Sequence, residues 1–147
     1  MLFRSTAVDL SADALALARR NADRHAVAER ITFLQSDLLS ALVIGHWSFD
    51  ILCANLPYIP SADLDKLPVA KHEPRVALDG GPDGLALLRR LLADAPRVMA
   101  PHGRLLLEIE ARQGAAVTAL ARAAFPQARL AVHQDLAGLD RVVAIAL

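Results

Sequence analysis

Cysteine, aromatic residues and net charge are all scarce in this chain of 147 residues. Cys53 is the only cysteine, which excludes a disulfide framework and a thiolate metal site, and we expect it to be a small buried residue on a strand. The five histidines lack the spacing of metal ligands, so no metal is expected. The 16 basic residues are balanced by 16 acidic ones, which argues against a broad phosphate-binding face.

Long hydrophobic runs are missing as well. No apolar run approaches the roughly 20 residues that a membrane-spanning helix needs. The opening stretch, MLFRSTAVDL, is too short and too soon acidic for a signal peptide. Hydrophobic residues nevertheless make up 54% of the chain, which is enough to bury a core. We therefore expect one domain over residues 1–147, in the cytoplasm and with no membrane partner.

Strand and helix signals alternate along the chain. Short apolar runs predict four strands, at Thr6–Leu10, Ile31–Leu34, Phe49–Ala54 and Arg104–Glu110. Helical periodicity follows Ser11, a candidate N-cap, and also Asp83 and Gln113. Too few residues separate the last two strands, ARLAVH and RVVAIAL, for a crossover helix, so they should pair antiparallel. This order predicts a doubly wound α/β sheet with one reversed strand.

Some of these segments carry more specific expectations. Residues 51–54 are apolar without a break, which is typical of a strand covered on both faces. A turn at Pro101–Gly103 is expected to open the fourth strand. Pro96 is expected to kink or end the helix that Asp83 caps.

The segment from Leu56 to Gly84 contains five prolines and is too long for an ordinary connection, so we expect it to be functional. Its end, DGGPDG at residues 79–84, is rich in glycine but lacks the lysine of a phosphate-binding loop. This end is therefore predicted to be a tight turn before a helix. His72, in the stretch HEPRVAL, is only a weak candidate for a general base.

Polar side chains lie at or just after the ends of three successive strands, at Asp9, Asp37 and Asn55. In open α/β sheets, ligands bind at the carboxyl ends of the strands. One acid there is often only a turn former, but three polar residues together indicate a site. Asp9 can accept hydrogen bonds from ribose hydroxyls, and Asp37 can accept from an adenine amino group while Leu38 and Leu39 cover the ring. The pattern therefore indicates a ligand that contains adenosine.

The third strand continues directly into Asn-Leu-Pro-Tyr, residues 55–58. The side chain of Asn55 offers an acceptor and a donor. Leu56 precedes a proline and is pushed toward extended geometry, so its carbonyl can point to the same side as the Asn55 amide. Two such acceptors suit a planar NH2 group that donates both hydrogens, and Tyr58 can pack on a planar substrate. The alternative is that Leu-Pro-Tyr is only a turn that stops the strand.

Several stretches resemble the HemK/PrmC family, the S-adenosylmethionine-dependent methyltransferases that modify glutamine in peptide-chain release factors. The stretches are AVDLSADALALARRNA, FDILCANLPYIP, EPRVALDGGPDGLALLRRLL and PHGRLLLEIEARQG. The resemblance extends from about Ala7 to Val143. It implies a Rossmann-like class I methyltransferase sheet with an antiparallel last strand, and S-adenosyl-L-methionine as the cofactor.

The resemblance also implies which residues bind the cofactor. By position, Asp9 with Leu10 would hold the ribose, and Asp37 with Leu38 would meet the adenine. Asn55 would lie between the cofactor and the substrate.

The same resemblance implies a substrate site at residues 55–58. Asn55, with the backbone of Leu56 and Pro57, would hold the glutamine amide of a release factor, and Tyr58 would shape the pocket. The methyl group would pass directly to the amide nitrogen. Catalysis would rest mainly on positioning and electrostatics rather than on a strong base.

Two residues depart from the family pattern. Leu56 replaces the first proline of the usual Asn-Pro-Pro-Tyr, and this version resembles ribosomal RNA adenine methyltransferases. Adenine N6 methylation of nucleic acid is therefore an alternative, although the balanced charge disfavours it. Glu110 stands where the family usually has glycine, and its carboxylate is expected to disturb the neighbouring cleft.

A larger departure lies at the amino terminus. The family's substrate-recognition domain, the first strand of its sheet and the glycine-rich loop are all missing, and no G-x-G-x-G pattern occurs. A non-catalytic remnant that binds cofactor weakly or not at all is therefore a further alternative. Without the first strand, two neighbouring strand edges would lack partners, so we expect a homo-oligomer or strand exchange.

Overall fold

Strands and helices alternate in the computed structural model, which describes residues 4–45 and 47–147. The chain divides into two units, residues 1–46 and residues 47–147. Residues 1–3 and 46 lie outside the described part, and with them the start of the stretch that was compared with a signal peptide.

The first unit contains a pair of parallel strands and two helices. Its elements are β1 (Ser5–Asp9), α1 (Ala12–Arg24), β2 (Ile31–Gln35) and α2 (Ser40–Ile44). The register of β1 on β2 runs from Ser5 opposite Ile31 to Asp9 opposite Gln35. Ser11 caps α1 as predicted, because its Oγ accepts a hydrogen bond of 3.2 Å from the amide of Ala14. α2 was not predicted from the sequence, because it is too short to show helical periodicity.

The second unit is built on a four-stranded mixed sheet. Its elements are β3 (Phe49–Ala54), α3 (Ala86–Asp94), β4 (Met99–Glu108), α4 (Gly114–Ala124), β5 (Arg129–Gln134) and β6 (Asp140–Ala146). The strand order is β3-β4-β6-β5. β3 and β4 are parallel, whereas β6 is antiparallel to both of its neighbours. The predicted α/β class, with a reversed last strand paired to the strand before it, is confirmed.

The core of the second unit lies on one face of this sheet. Alternate side chains of β4 and β6 are buried together with Val117 of α4: Leu105, Leu107, Val143 and Ile145 are at most 1% exposed. α4 contacts β5 and β6, and α3 packs against α4. Because side chains alternate across a strand, the residues between these positions point to the opposite face.

The opposite face is open, which corrects the expectation of a strand covered on both sides. Leu52 of β3 is buried, but its neighbour Ile51 is 62% exposed. Cys53 lies on β3 as predicted but is exposed rather than buried. The reason is that apolar side chains can be buried, but they are buried only where another helix or strand packs against them.

One boundary differs from the expectation, and another agrees with it. β4 begins at Met99, so Pro101–Gly103 lies inside the strand instead of opening it. The irregularity appears as a register shift against β3 and as a φ of 65° at His102. α3 ends at Asp94 and a 3-10 turn follows at Ala95–Arg97, so Pro96 ends the α-helix as predicted.

Two absences hold for the described part of the chain. No helix in residues 4–45 or 47–147 is long and apolar enough to cross a membrane. The same residues contain no group of three or more histidine, cysteine or acidic side chains placed to hold a metal ion.

Two adjacent leucines of β4 test the assignment of the sheet faces. Leu107→Ala is expected to lower the free energy of unfolding by about 2–5 kcal/mol, because Leu107 is fully buried and its truncation leaves a cavity. Leu106→Ala should cost less than about 1 kcal/mol, because Leu106 lies on the open face. Urea unfolding followed by the fluorescence of Trp47, the single tryptophan, measures both. Equal losses for the two variants would contradict the assigned faces.

Candidate functional site

The first unit brings the ends of its two strands together. Asp9 ends β1 and lies opposite Gln35, which ends β2. The amide of Ser36 donates to the carbonyl of Asp9 at 3.0 Å, and Gln35 Nε2 donates to the carbonyl of Leu10 at 3.0 Å. Asp37 follows two residues after Gln35 and is exposed. The structure therefore places both predicted acids at the same edge of a parallel strand pair.

The carboxylate of Asp9 has a structural contact as well as a free side. Its Oδ1 accepts a hydrogen bond of 2.7 Å from the amide of Ser11, which leads the chain into α1. Asp9 and Leu10 are both exposed. Its other oxygen makes no hydrogen bond within the described residues, so it can accept one from a ligand.

Leu38 has an unusual backbone for a bulky residue. Its φ is 51°, in the left-handed region that residues other than glycine rarely adopt. Such strain is concentrated at functional sites. Leu38 is half-buried, whereas Leu39 is 5% exposed and belongs to the core. Of the two leucines that were expected to cover an adenine ring, Leu38 is therefore the one with accessible surface.

The second unit holds the stretch Asn55–Tyr58 directly after the end of β3. Asn55 is exposed, and Leu56, Pro57 and Tyr58 are half-buried. Within the part of the chain that the structure describes, the Asn55 amide makes no hydrogen bond and no N–H donates to the carbonyl of Leu56. Both predicted acceptors are thus available to a ligand.

The backbone is anchored immediately after these free groups. The amide of Ile59 donates to the carbonyl of Leu78 at 3.1 Å, and the amide of Gly80 donates back to the carbonyl of Ile59 at 2.8 Å. The amide of Ser61 donates to the carbonyl of Gly81 at 2.9 Å. The stretch DGGPDG forms the predicted turn, and it also supports the segment that follows Tyr58.

The glycines of this turn allow a very close approach. A Cβ at Gly80 would lie 2.8 Å from the carbonyl oxygen of Pro57, and one at Gly84 would lie 2.3 Å from that of Tyr58. Gly84 also has a φ of 75°. This contact was not predicted from the sequence, although the density of glycine in the stretch was its signal.

Two carboxylates stabilise the turn. Ser61 Oγ donates to Asp79 Oδ1 at 2.6 Å, and this hydrogen bond is the main cause of a lowered Asp79 pKa. Arg89 of α3 donates to both oxygens of Asp83, at 2.9 and 2.5 Å, and lowers the pKa of Asp83 to about 2. Asp83 also accepts from the amide of Leu85, but the residue at the N-cap of α3 is Leu85, which corrects the predicted cap.

A cavity of about 710 Å³ lies beside Tyr58 in the second unit. Its lining includes apolar residues such as Leu67 and Leu85 and charged residues such as Lys66 and Glu110. The Glu110 carboxylate accepts from the backbone amide and the Nε of Arg112, at 3.0 and 3.1 Å. The carboxylate that was expected to disturb the cleft is therefore held at its wall. His72, the weak candidate for a base, is exposed and does not line this cavity.

Comparisons with known proteins identify relatives for nearly the whole chain. The release factor glutamine methyltransferase of Moorella thermoacetica is 47% identical over 139 residues, which are 94% of this chain and 48% of that protein. The one from Caulobacter vibrioides is 44% identical over 138 residues, or 92% of this chain and 47% of that protein. The chain is a homologue of the release factor glutamine methyltransferases. It spans about half the length of the curated relatives it matches.

The resemblance of the sequence to the HemK/PrmC family is thereby confirmed. No protein-family profile matches the chain.

Solved structures of methyltransferases share the fold. A ribosomal protein methylase from Lactobacillus delbrueckii subsp. bulgaricus superposes with a TM-score of 0.63 at 14% identity, over 97% of this chain and 56% of that one. An O-methyltransferase from Bacillus cereus, solved in complex with SAH, gives 0.62 at 14% identity, over 98% and 63%. At this identity the likeness shows the fold alone, and the fold is that of the class I methyltransferases.

Two glycines with the same backbone angle test the support behind Tyr58. Gly84→Ala is expected to destabilise the second unit by about 2 kcal/mol or more, because the added Cβ combines a strained φ with a clash against the Tyr58 carbonyl. Gly138→Ala is the matched control, since Gly138 has a φ of 76° and nothing within 4 Å of the added Cβ. Thermal unfolding of both variants compares them. Equal losses would mean that the angle alone matters and not the contact.

Proposed function

We propose that the chain provides the methyltransferase machinery of an enzyme that transfers a methyl group from S-adenosyl-L-methionine to the side-chain amide of a glutamine in a peptide-chain release factor. The observation that carries the proposal is the pair of unoccupied acceptors, the Asn55 amide oxygen and the Leu56 carbonyl, at the end of β3 in a chain that is 47% identical to such an enzyme. Residues 1–147 are proposed to act as one methyltransferase domain.

The first unit fits the nucleoside part of the cofactor. The free oxygen of Asp9 would accept hydrogen bonds from the ribose hydroxyls beside Leu10, and the exposed Asp37 would meet the adenine next to Leu38. Asn55 is proposed to contact the cofactor as well as the substrate. The SAH in the Bacillus cereus structure supports this class of cofactor. When bound, the cofactor supplies an electrophilic methyl group on a sulfonium.

The second unit fits a planar amide. Asn55 Oδ1 and the Leu56 carbonyl would accept the two hydrogens of the substrate NH2, while Pro57 and Tyr58 shape the pocket. An amide held in this way presents its nitrogen to the methyl group. In the transfer, a new N–C bond would form as the S–C bond breaks, and the nitrogen would lose a proton to solvent. The residues contribute mainly orientation, which can supply much of the rate enhancement without a strong base.

A specific observation favours a second candidate function. No G-x-G-x-G pattern, the glycine-rich loop of the family, occurs in these 147 residues. A non-catalytic module that descends from the same enzymes and binds the cofactor weakly or not at all would have this property. The other alternative, adenine methylation on nucleic acid, rests on Leu56 alone and is disfavoured by the equal numbers of acidic and basic residues.

The proposed partners are a release factor as protein substrate and a second copy of the chain. Among the residues that the structure describes, β1 pairs only with β2 and β3 pairs only with β4. β1 and β3 thus each have an edge that can hydrogen-bond to another strand. The proposed compartment is the cytoplasm, where a lone cysteine stays reduced.

Calorimetric titration with S-adenosylmethionine tests the cofactor site. The chain is expected to bind, and Asp9→Asn should lose at least about tenfold in affinity, because an NH2 group that only donates replaces the free oxygen that would accept from the ribose hydroxyls. This variant keeps an oxygen for the amide of Ser11, so the start of α1 is preserved. Asp13→Asn removes the same charge from the first turn of α1 and should bind like the unmodified chain.

The outcomes separate the candidates. The proposed enzyme is supported if the chain binds S-adenosylmethionine, if Asp9→Asn and Asp9→Ala weaken that binding at least about tenfold, and if the chain methylates a release factor but not RNA. No heat at millimolar ligand supports the non-catalytic module. Methylation of RNA alone supports the adenine alternative.

Sedimentation velocity tests the proposed strand pairing between copies. The chain is expected to sediment as a dimer or larger species, because paired edges satisfy backbone groups that a monomer leaves open. Asp50→Lys exchanges one charged side chain for another on β3 and keeps this edge strand polar. It serves as a mild probe of strand pairing between copies. A monomer that unfolds cooperatively at high concentration would contradict the pairing.

A further inference from the structure

Gln113 is unusual because it is polar and almost fully buried. It is 8% exposed and lies at the end of the 3-10 turn Ala111–Gln113, directly before α4. Its Nε2 donates to the carbonyl of Tyr58 at 3.3 Å and to that of Gly84 at 3.2 Å. Its Oε1 accepts from the amide of Glu110 at 3.1 Å. One side chain thus ties together three separate stretches of backbone.

The chemistry of this position calls for an amide. The site presents two carbonyl oxygens and one N–H, so the side chain must donate twice and accept once in the same plane. Glutamine and asparagine are the only side chains that do so while neutral, and the longer glutamine spans the gap. A carboxylate would face two carbonyls without a donor, and an apolar side chain would leave all three groups without this partner.

The hydrogen bond from Gln113 reaches the chain at Tyr58, directly after the two candidate acceptors. β3 ends at Ala54, and Tyr58 is the first residue after it whose carbonyl accepts a hydrogen bond. Asn55, Leu56 and Pro57 therefore span two fixed points. Because proline fixes its own φ and restricts the residue before it, few conformations can bridge these points. Moving Tyr58 would turn the Leu56 carbonyl and the Asn55 side chain.

We propose that Gln113 is a positioning residue that holds the backbone of Tyr58 and so aims the Asn55 and Leu56 acceptors at the substrate amide. The assignment of those two acceptors rests on the proposed function. The placement of the Tyr58 backbone does not, so the two ideas can fail separately.

The first test is a pair of variants that removes the two halves of one capping arrangement. Gln113→Met removes the hydrogen bonds to Tyr58 and Gly84 and also the one from the amide of Glu110. Glu110→Ala removes the other half, the contact to the amide of Arg112, and leaves Tyr58 anchored. Gln113→Met is expected to lower kcat for methyl transfer by about 10²-fold, because a displacement near 1 Å at the reacting groups has an effect of this size. The affinity for S-adenosylmethionine should fall far less than kcat, because the proposed cofactor contacts of Asp9 and Asp37 do not depend on Tyr58, and Glu110→Ala should lose less of its kcat than Gln113→Met.

A third variant separates positioning from simple loss of stability. In Gln113→Glu the carboxylate can still accept from the Glu110 amide but cannot donate to Tyr58. Once protonated, it can donate to one of the two carbonyls. Its kcat relative to that of Gln113→Met should therefore rise as the pH is lowered, whereas a purely structural role predicts parallel pH profiles.

Hydrogen exchange gives a readout that does not depend on turnover. The amides of Ile59 and Gly80, which hold the segment after Tyr58, should exchange faster in Gln113→Met than in the unmodified chain and in Glu110→Ala. Unchanged exchange at these amides, or equal kinetic losses in Gln113→Met and Glu110→Ala, would overturn the proposal. If the unmodified chain methylates nothing, the proposed function fails and the exchange comparison alone decides the placement of Tyr58.

Discussion

The parallel ladder between β3 and β4 determines where the candidate substrate site lies. Ala54 pairs with Leu107, so both strands run toward the same edge of the sheet and leave it there. After β3 the chain continues as Asn55–Tyr58, and after β4 it continues into the turn that ends at Gln113. Two segments 55 residues apart thus meet at one edge, and the hydrogen bond between Gln113 and Tyr58 follows from that register.

The glycine-rich turn completes the same edge from a third direction. Its amides and carbonyls pair with the chain just beyond Tyr58, and its glycines leave no side chain between the two backbones. Glycine has a conformational cost on folding, which is offset where only a hydrogen side chain permits the approach. The two ends of the long segment with five prolines are consequently held against each other. The middle of the segment consists of short 3-10 turns.

The sequence revealed those features that depend on local chemistry. Apolar runs located all the strands of the first unit, polar residues marked the strand ends at Asp9 and Asn55, and the short connection before β6 required an antiparallel pair. Features that depend on distant partners were hidden. The exposure of Cys53 reflects what packs on β3 rather than the composition of β3, and the early start of β4 at Met99 depends on a register shift against its neighbour.

The role of Gln113 illustrates the same limit at the candidate site. Its spacing from Glu110 is a visible capping signal, and the structure confirms that arrangement. The two carbonyls that the amide also reaches belong to residues 29 and 55 positions away, and no local pattern connects them. Prediction from sequence therefore found the reactive stretch but not the groups that hold it in place.

Leu56, which stands where the resemblance to the family implies a proline, makes the hydrogen bond between Gln113 and Tyr58 more important. A proline at that position would fix its own φ, whereas leucine leaves the angle free and is restrained only by Pro57 after it. The direction of the Leu56 carbonyl must then be set by the fixed points on either side, the end of β3 and the bonded carbonyl of Tyr58. A chain with leucine here thus depends more on its distant glutamine than a chain with two prolines would.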